Sequence, residues 1–224
     1  MTAIHRFALI SVVSAMLAPP SVGAAVGGTM LLISPRSRAV LCDFDEACTA
    51  GTCASAPERS CGAVADCPRC IVVENQDIAL CEPDSLGAGA TACRWSLFFD
   101  GTRAGLNAPI RALEMLPDGS LLLRSAADNA IPDISGANRR DLVRFIPTDE
   151  AGRPGAVGLP YHRGEWLVFL DGRAVEANSG ARLIEAIALL PNSCRDVNGD
   201  GVVSFQECDL LFTPTAAGTL AGLD

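Results

Sequence analysis

The chain has no lysine, a single tyrosine and, beyond its first residues, a single histidine. All 17 of its cations are arginine, set against 26 acidic residues for a formal net charge of −9. Binding to nucleic acid by backbone neutralisation is therefore excluded. Beyond the N-terminus no segment approaches the roughly 20 uninterrupted apolar residues that a membrane-spanning helix needs. The one remaining histidine, His162, sits in Pro160-Tyr-His-Arg-Gly164, a loop by composition, and no Gly-x-Ser-x-Gly is present. That argues against a nucleophile triad on a strained strand-to-helix turn. Charged residues make up only 19% of the 224 and hydrophobic residues 49%, which is too apolar for a disordered chain and enough for one or two compact domains.

What is present begins with an export signal. Met1 to Arg6 is a short n-region, Phe7 to Ala18 an apolar run, and Pro19-Pro20-Ser21-Val22-Gly23-Ala24 supplies small residues before a cut. This predicts a cleavable signal peptide over 1–24, with a cut after Ala25 nearly as suitable, and a secreted protein, extracellular or periplasmic, without a membrane span once cut. All ten cysteines lie beyond the cut, and an even count fits full pairing in an oxidising space. Cys42 to Cys48 and Cys61 to Cys67 repeat one spacing, each followed shortly by another cysteine, Cys53 and Cys70, so 42–70 reads as a small stapled insertion. Its connectivity stays open. The alternative is a zinc or iron–sulfur site using Cys67-Pro-Arg-Cys70, which export disfavours. Asp43, Asp45 and Glu46 are a candidate second, weak cation site against the simpler reading of a solvated face.

Internal similarity organises 25–224. Trp95-Ser-Leu-Phe-Phe-Asp-Gly101 recurs as Trp166-Leu-Val-Phe-Leu-Asp-Gly172, and Ile110-Arg-Ala-Leu-Glu-Met-Leu-Pro117 as Ile184-Glu-Ala-Ile-Ala-Leu-Leu-Pro191. Asp77 to Pro83, Asp141 to Pro147 and Asp209 to Pro214 share an Asp, an apolar run and a closing Pro, and Leu31-Leu-Ile-Ser34 matches Leu122-Leu-Arg-Ser125. These short segments, rich in Val, Ile, Phe and Trp and separated by Asp-Gly and Pro-Asp-Gly turns, predict an all-β fold. About ten short antiparallel strands in roughly 70-residue units are expected. Arg182 to Leu190 has helical propensity, but its match to Ile110 to Leu116 makes it a strand. The pattern resembles repeats of exported bacterial proteins of uncharacterised activity. That resemblance implies stacked or propeller-like four-stranded units, with an irregular sandwich as the alternative. Both tryptophans are expected in the core.

One loop carries specific chemistry. Asp196-Val-Asn-Gly-Asp-Gly-Val-Val-Ser-Phe-Gln-Glu207 places Asp196, Asn198, Asp200, Ser204 and Glu207 at alternating ligand positions, with the Val202 carbonyl between them. Calcium takes six to eight oxygens, and a 12-residue loop of this pattern supplies them, with glycine at the sharp turn, here Gly201. The loop resembles the EF-hand and, through Asp196-Val-Asn-Gly-Asp-Gly201, the calcium loop of dockerins. That resemblance implies calcium as the cofactor and, for dockerins, a cohesin partner. Pro191 and Pro214 leave little room for long flanking helices, and no second loop exists. Cys194 and Cys208 bracket the loop, and Asp200-Gly201-Val-Val-Ser falls where Asp118-Gly119 opens the preceding unit's second strand.

The sequence therefore predicts a secreted, calcium-binding, non-enzymatic β-repeat module that binds an unknown protein or glycan or serves structurally. Its rivals are a carbohydrate-active hydrolase using paired carboxylates from Asp100, Asp118 and Asp171 and a dockerin-like partner module.

Overall fold

The computed structural model describes residues 10–13, 30–43, 46, 48–49, 51–56, 60–63, 66–85, 92–154, 158–172, 184–190 and 209–214. Every element in them is a strand, as the alternation of apolar and polar residues and the frequent turn residues dictate. The chain divides into two compact units, 1–100 and 101–224.

In the first unit, β1 (Ile10–Val13), β2 (Met30–Ile33), β7 (Ile78–Ser85) and β8 (Ala92–Phe99) form an antiparallel sheet in the order β1-β2-β7-β8. Part of the apolar N-terminal run thus lies in register with β2, while both proposed cleavage positions fall outside the described residues. Between β2 and β7 the Cys-rich insertion folds as two hairpins, β3 (Ala39–Cys42) with β6 (Cys70–Val73) and β4 (Cys48–Thr49) with β5 (Thr52–Cys53). Leu41 and Val73 bury one face of the outer hairpin against Ile33, Ala79 and Trp95.

In the second unit, β9 (Ile110–Met115), β10 (Leu121–Ser125), β11 (Leu142–Pro147) and β12 (Gly164–Leu170) form a four-stranded antiparallel meander. The Pro117-Asp118-Gly119 turn joins β9 to β10, with Gly119 at φ 82°, a conformation glycine adopts without a Cβ clash. β13 (Ile184–Leu189) and β14 (Leu210–Pro214) form a separate hairpin. Ile184 and Ile187 of β13 pack with Ala112, Leu116, Leu122 and Leu142 of the meander. The segment over 184–189 is therefore the expected strand. Fourteen strands exceed the expected ten, because the insertion contributes four short ones and the N-terminal run another.

The two four-stranded sheets share detailed features. Cys81 faces Trp95 as Phe145 faces Trp166, Ile78 faces Phe99 as Leu142 faces Leu170, and an irregularity follows both Ile78 and Leu142. Asp77 accepts a hydrogen bond from Glu74 N, and Asp141 accepts one from Asn138 N, each at 2.9 Å. Ser34 Oγ donates to Asn75 O, two residues before that aspartate, and Arg124 Nη1 donates to Arg139 O in the corresponding place. One sequence match needs correction. Leu32 faces Leu80 and Leu122 faces Arg144, so Leu32, not Leu31, is the counterpart of Leu122, and Ser34 that of Arg124. The aspartate-anchored turn sets the pairing, whereas runs of identical leucines can be slid by one residue without changing their composition.

Candidate functional site

The calcium-loop residues Asp196, Asn198, Asp200, Gly201, Val202, Ser204 and Glu207, with Cys194 and Cys208, lie outside the described residues. What is described is the frame on either side. β13 and β14 pair directly, Leu189 opposite Leu210, and Leu190 N donates to Asp209 O at 2.9 Å. The two ends of the intervening segment are thus held together by the last rung of a ladder. This differs from the meander, where β10 lies between β9 and β11. No strand from the loop separates β13 from β14, so the loop is an excursion from a hairpin and does not take the place of the second strand. Strands, not helices, lead into and out of it, in agreement with the prolines that limit flanking helices.

The cysteines of the insertion form disulfides. Cys42 pairs with Cys70, Cys53 with Cys67 and Cys81 with Cys93, and Cys61 is also disulfide-bonded. The Cys67-Pro-Arg-Cys70 pair is therefore split between two bridges. Cys53, Cys61 and Cys67 converge in a buried cluster, but their sulfurs are consumed in disulfides, and the zinc or iron–sulfur alternative, which needs thiolates, fails on that ground. Oxidised cysteines fit an extracellular setting. Among the described residues no helix is long and apolar enough to cross a membrane.

The acidic residues of the insertion are already occupied. Glu46, only 8% exposed, accepts hydrogen bonds from Ser55 N at 3.1 Å and from Ser55 Oγ, and Asp43 accepts one from Trp95 N at 3.0 Å. They staple the insertion internally and to β8. Asp45 lies outside the described residues.

Asp118 accepts from Ser120 N at 3.0 Å and Ser120 Oγ at 2.6 Å and is ion-paired with Arg144, which also reaches Ser120 Oγ. This is turn chemistry. Asp100 follows β8 and Asp171 follows β12 in different units. Among the described residues no three acidic or histidine side chains converge. His162 holds Nδ1 2.9 Å from Pro160 O at the margin of a polar cleft of about 370 Å³ in the second unit. Arg103, Asp133, Asp149, Arg163 and Trp166 also line it. The indole is 7% exposed, donates to Ala104 O at 3.2 Å and packs against Phe145 with ring centroids 4.8 Å apart. Asp149 is held below the usual carboxylate range by the backbone and side-chain donors of Arg153. No sequence motif pointed to this cleft, because it gathers residues from several connecting loops.

A second feature unannounced by the sequence is Arg124, 1% exposed on β10. Nη1 donates to Arg139 O at 3.0 Å, Nη2 lies 3.5 Å from Glu185 Oε1 of β13, and Nε has no partner. Burial pulls its pKa down, Glu185 opposes that shift, and Arg111 and Arg139 add to it. No protein-family model, curated protein or solved structure matches the chain.

Proposed function

We propose that this is an exported, disulfide-stapled β-repeat module in which the β13–β14 hairpin carries one structural calcium ion, and that it acts by binding or as a structural part, not by catalysis. The observation that carries the reading is the Asp196 to Glu207 pattern inserted between two strands whose ends are hydrogen-bonded to each other. A loop whose termini are already together loses less freedom on wrapping an ion, so the frame favours binding. Asp196, Asn198, Asp200, Ser204 and Glu207 would supply side-chain oxygens and Val202 its carbonyl, with three carboxylates against one divalent cation. The repeat reading draws support from the equal strand registers and aspartate turns of the two four-stranded sheets. A single hairpin loop without paired helices argues for a structural ion over a switch and against a cohesin partner.

The test is calorimetric titration of the purified, oxidised protein with calcium, alongside melting in excess chelator and in millimolar calcium. Saturable uptake with a raised melting temperature, both weakened in Asp200→Asn, is expected. No uptake together with an unchanged melting temperature would sink the site. For the binding role, a glycan panel should give retention without turnover. Reducing-end release lost on Asp→Asn exchange at Asp100, Asp118 or Asp171 would replace this reading with the hydrolase.

A further inference from the structure

Strand β12 ends the second unit's sheet, and among the described residues nothing pairs with its outer edge. Edge strands of soluble proteins are normally blunted by charge, proline or short length, because their open backbone groups recruit other strands. β12 runs Trp166-Leu-Val-Phe-Leu170 without a charge, and Leu167 and Val168 are 39% and 46% exposed. Its counterpart β8 is built differently. Counting from each tryptophan, the exposed positions held by Arg94 and Ser96 in β8 are held by Glu165 and Leu167 in β12. A polar residue in mid-strand has become an exposed leucine.

The backbone direction is fixed as well. Arg163 O accepts from Thr148 N on the side of β11. By alternation Glu165 and Leu167 also turn their backbone groups toward β11, and Gly164, Trp166 and Val168 turn theirs outward. Two copies of β12 laid antiparallel about Leu167 would set Trp166 of each opposite Val168 of the other, joining outward groups to outward groups. The same register sets Arg163 opposite Asp171 at both ends. Moving the two-fold axis to Val168 would instead set Glu165 opposite Asp171 twice, a like-charge clash. Charge complementarity therefore selects both the partner and the register.

We propose that the outer edge of β12 pairs with the same edge of a second copy of this chain, antiparallel about Leu167, to form an isologous dimer. Sedimentation of the purified, oxidised protein across a dilution series should show a dimer that dissociates reversibly. Leu167→Lys, an exposed position, sets two cations face to face at the axis and should weaken the dimer about 100-fold or more. Arg163→Glu and Asp171→Arg should each weaken it, and the double exchange should restore it. Circular dichroism reports whether each variant folds. Should Leu167→Lys misfold, the charge exchanges decide. A protein that stays monomeric up to hundreds of micromolar, or a dimer indifferent to Leu167→Lys or to the charge exchanges, overturns the proposal.

Discussion

Arg124 and Glu185 divide the work of an ion pair unequally. The guanidinium is buried on β10 with one good hydrogen bond, whereas the carboxylate is 40% exposed and reaches Nη2 only at 3.5 Å. Losing the weaker partner still leaves a buried cation with less compensation, so Glu185→Ala should cost about 1–3 kcal/mol in denaturant unfolding. Replacing the cation with an unbranched apolar side chain removes the desolvation penalty along with the pair. Arg124→Met should therefore be near neutral or stabilising. A large loss in Arg124→Met with none in Glu185→Ala would mean that the bond to Arg139 O, not the ion pair, secures this end of β10. Tyr161 offers a second test on single atoms. It is the only tyrosine in the chain, and burial raises its pKa above the ordinary value of 10.0. Tyrosinate absorbance of the folded protein should rise only above that value. Because the unfolded chain ionises first, the stability tied to this group is present below the ordinary value and falls as pH rises from there toward the raised one. Ionisation at the ordinary value in the folded protein would refute the burial.

At the scale of elements, the aspartates before β7 and β11 set the pairing of the strands that follow. Asp141, 5% exposed, accepts hydrogen bonds from Asn138 N at 2.9 Å, Asn138 Nδ2 at 2.7 Å and Gly172 N at 3.0 Å. It thereby joins the entry to β11 to the exit from β12. Asp141→Ala leaves those donors without their acceptor and should cost roughly 3 kcal/mol or more in denaturant unfolding. A loss under about 1 kcal/mol, the scale of a single replaceable hydrogen bond, would show that water takes over the role. These elements were largely legible from sequence. The Trp-x-x-Phe-x-Asp-Gly and Asp-to-Pro segments became β8, β12, β7, β11 and β14, and the Pro-Asp-Gly turn lies where composition put it. The pairing offset between Leu32 and Leu122 was not legible, because three leucines in a row satisfy every register alike. Nor was the burial of Arg124. A cation on a strand reads as solvent-facing until the strand is known to be covered on both sides, as all of β10 is. The described disulfides show the same limit: cysteine count and spacing indicated a stapled insertion, but only the β3–β6 and β7–β8 pairings bring Cys42 to Cys70 and Cys81 to Cys93.

For the whole molecule, the two units divide their supports. The disulfides Cys42–Cys70, Cys53–Cys67 and Cys81–Cys93 all fall in 1–100, and the proposed calcium loop falls in 101–224. Calcium binding should therefore stabilise one unit selectively, because an ion bound only by the folded hairpin adds to the stability of what folds with it. Within 101–224 the path is short: β13 buries Ile184 and Ile187 in the core formed with Ala112, Leu122 and Leu142, so freeing the hairpin uncovers one face of the meander. Amide exchange followed by mass spectrometry, with calcium and then with excess chelator, should show faster exchange in peptides covering β9, β10, β13 and β14. Peptides covering β7 and β8, held by the Cys81–Cys93 bridge, should exchange at an unchanged rate. Acceleration confined to β13 and β14 would mean that the meander is stable without its hairpin. Equal acceleration in both units would mean that they unfold as one cooperative body, and calcium would then support the whole chain through a single hairpin.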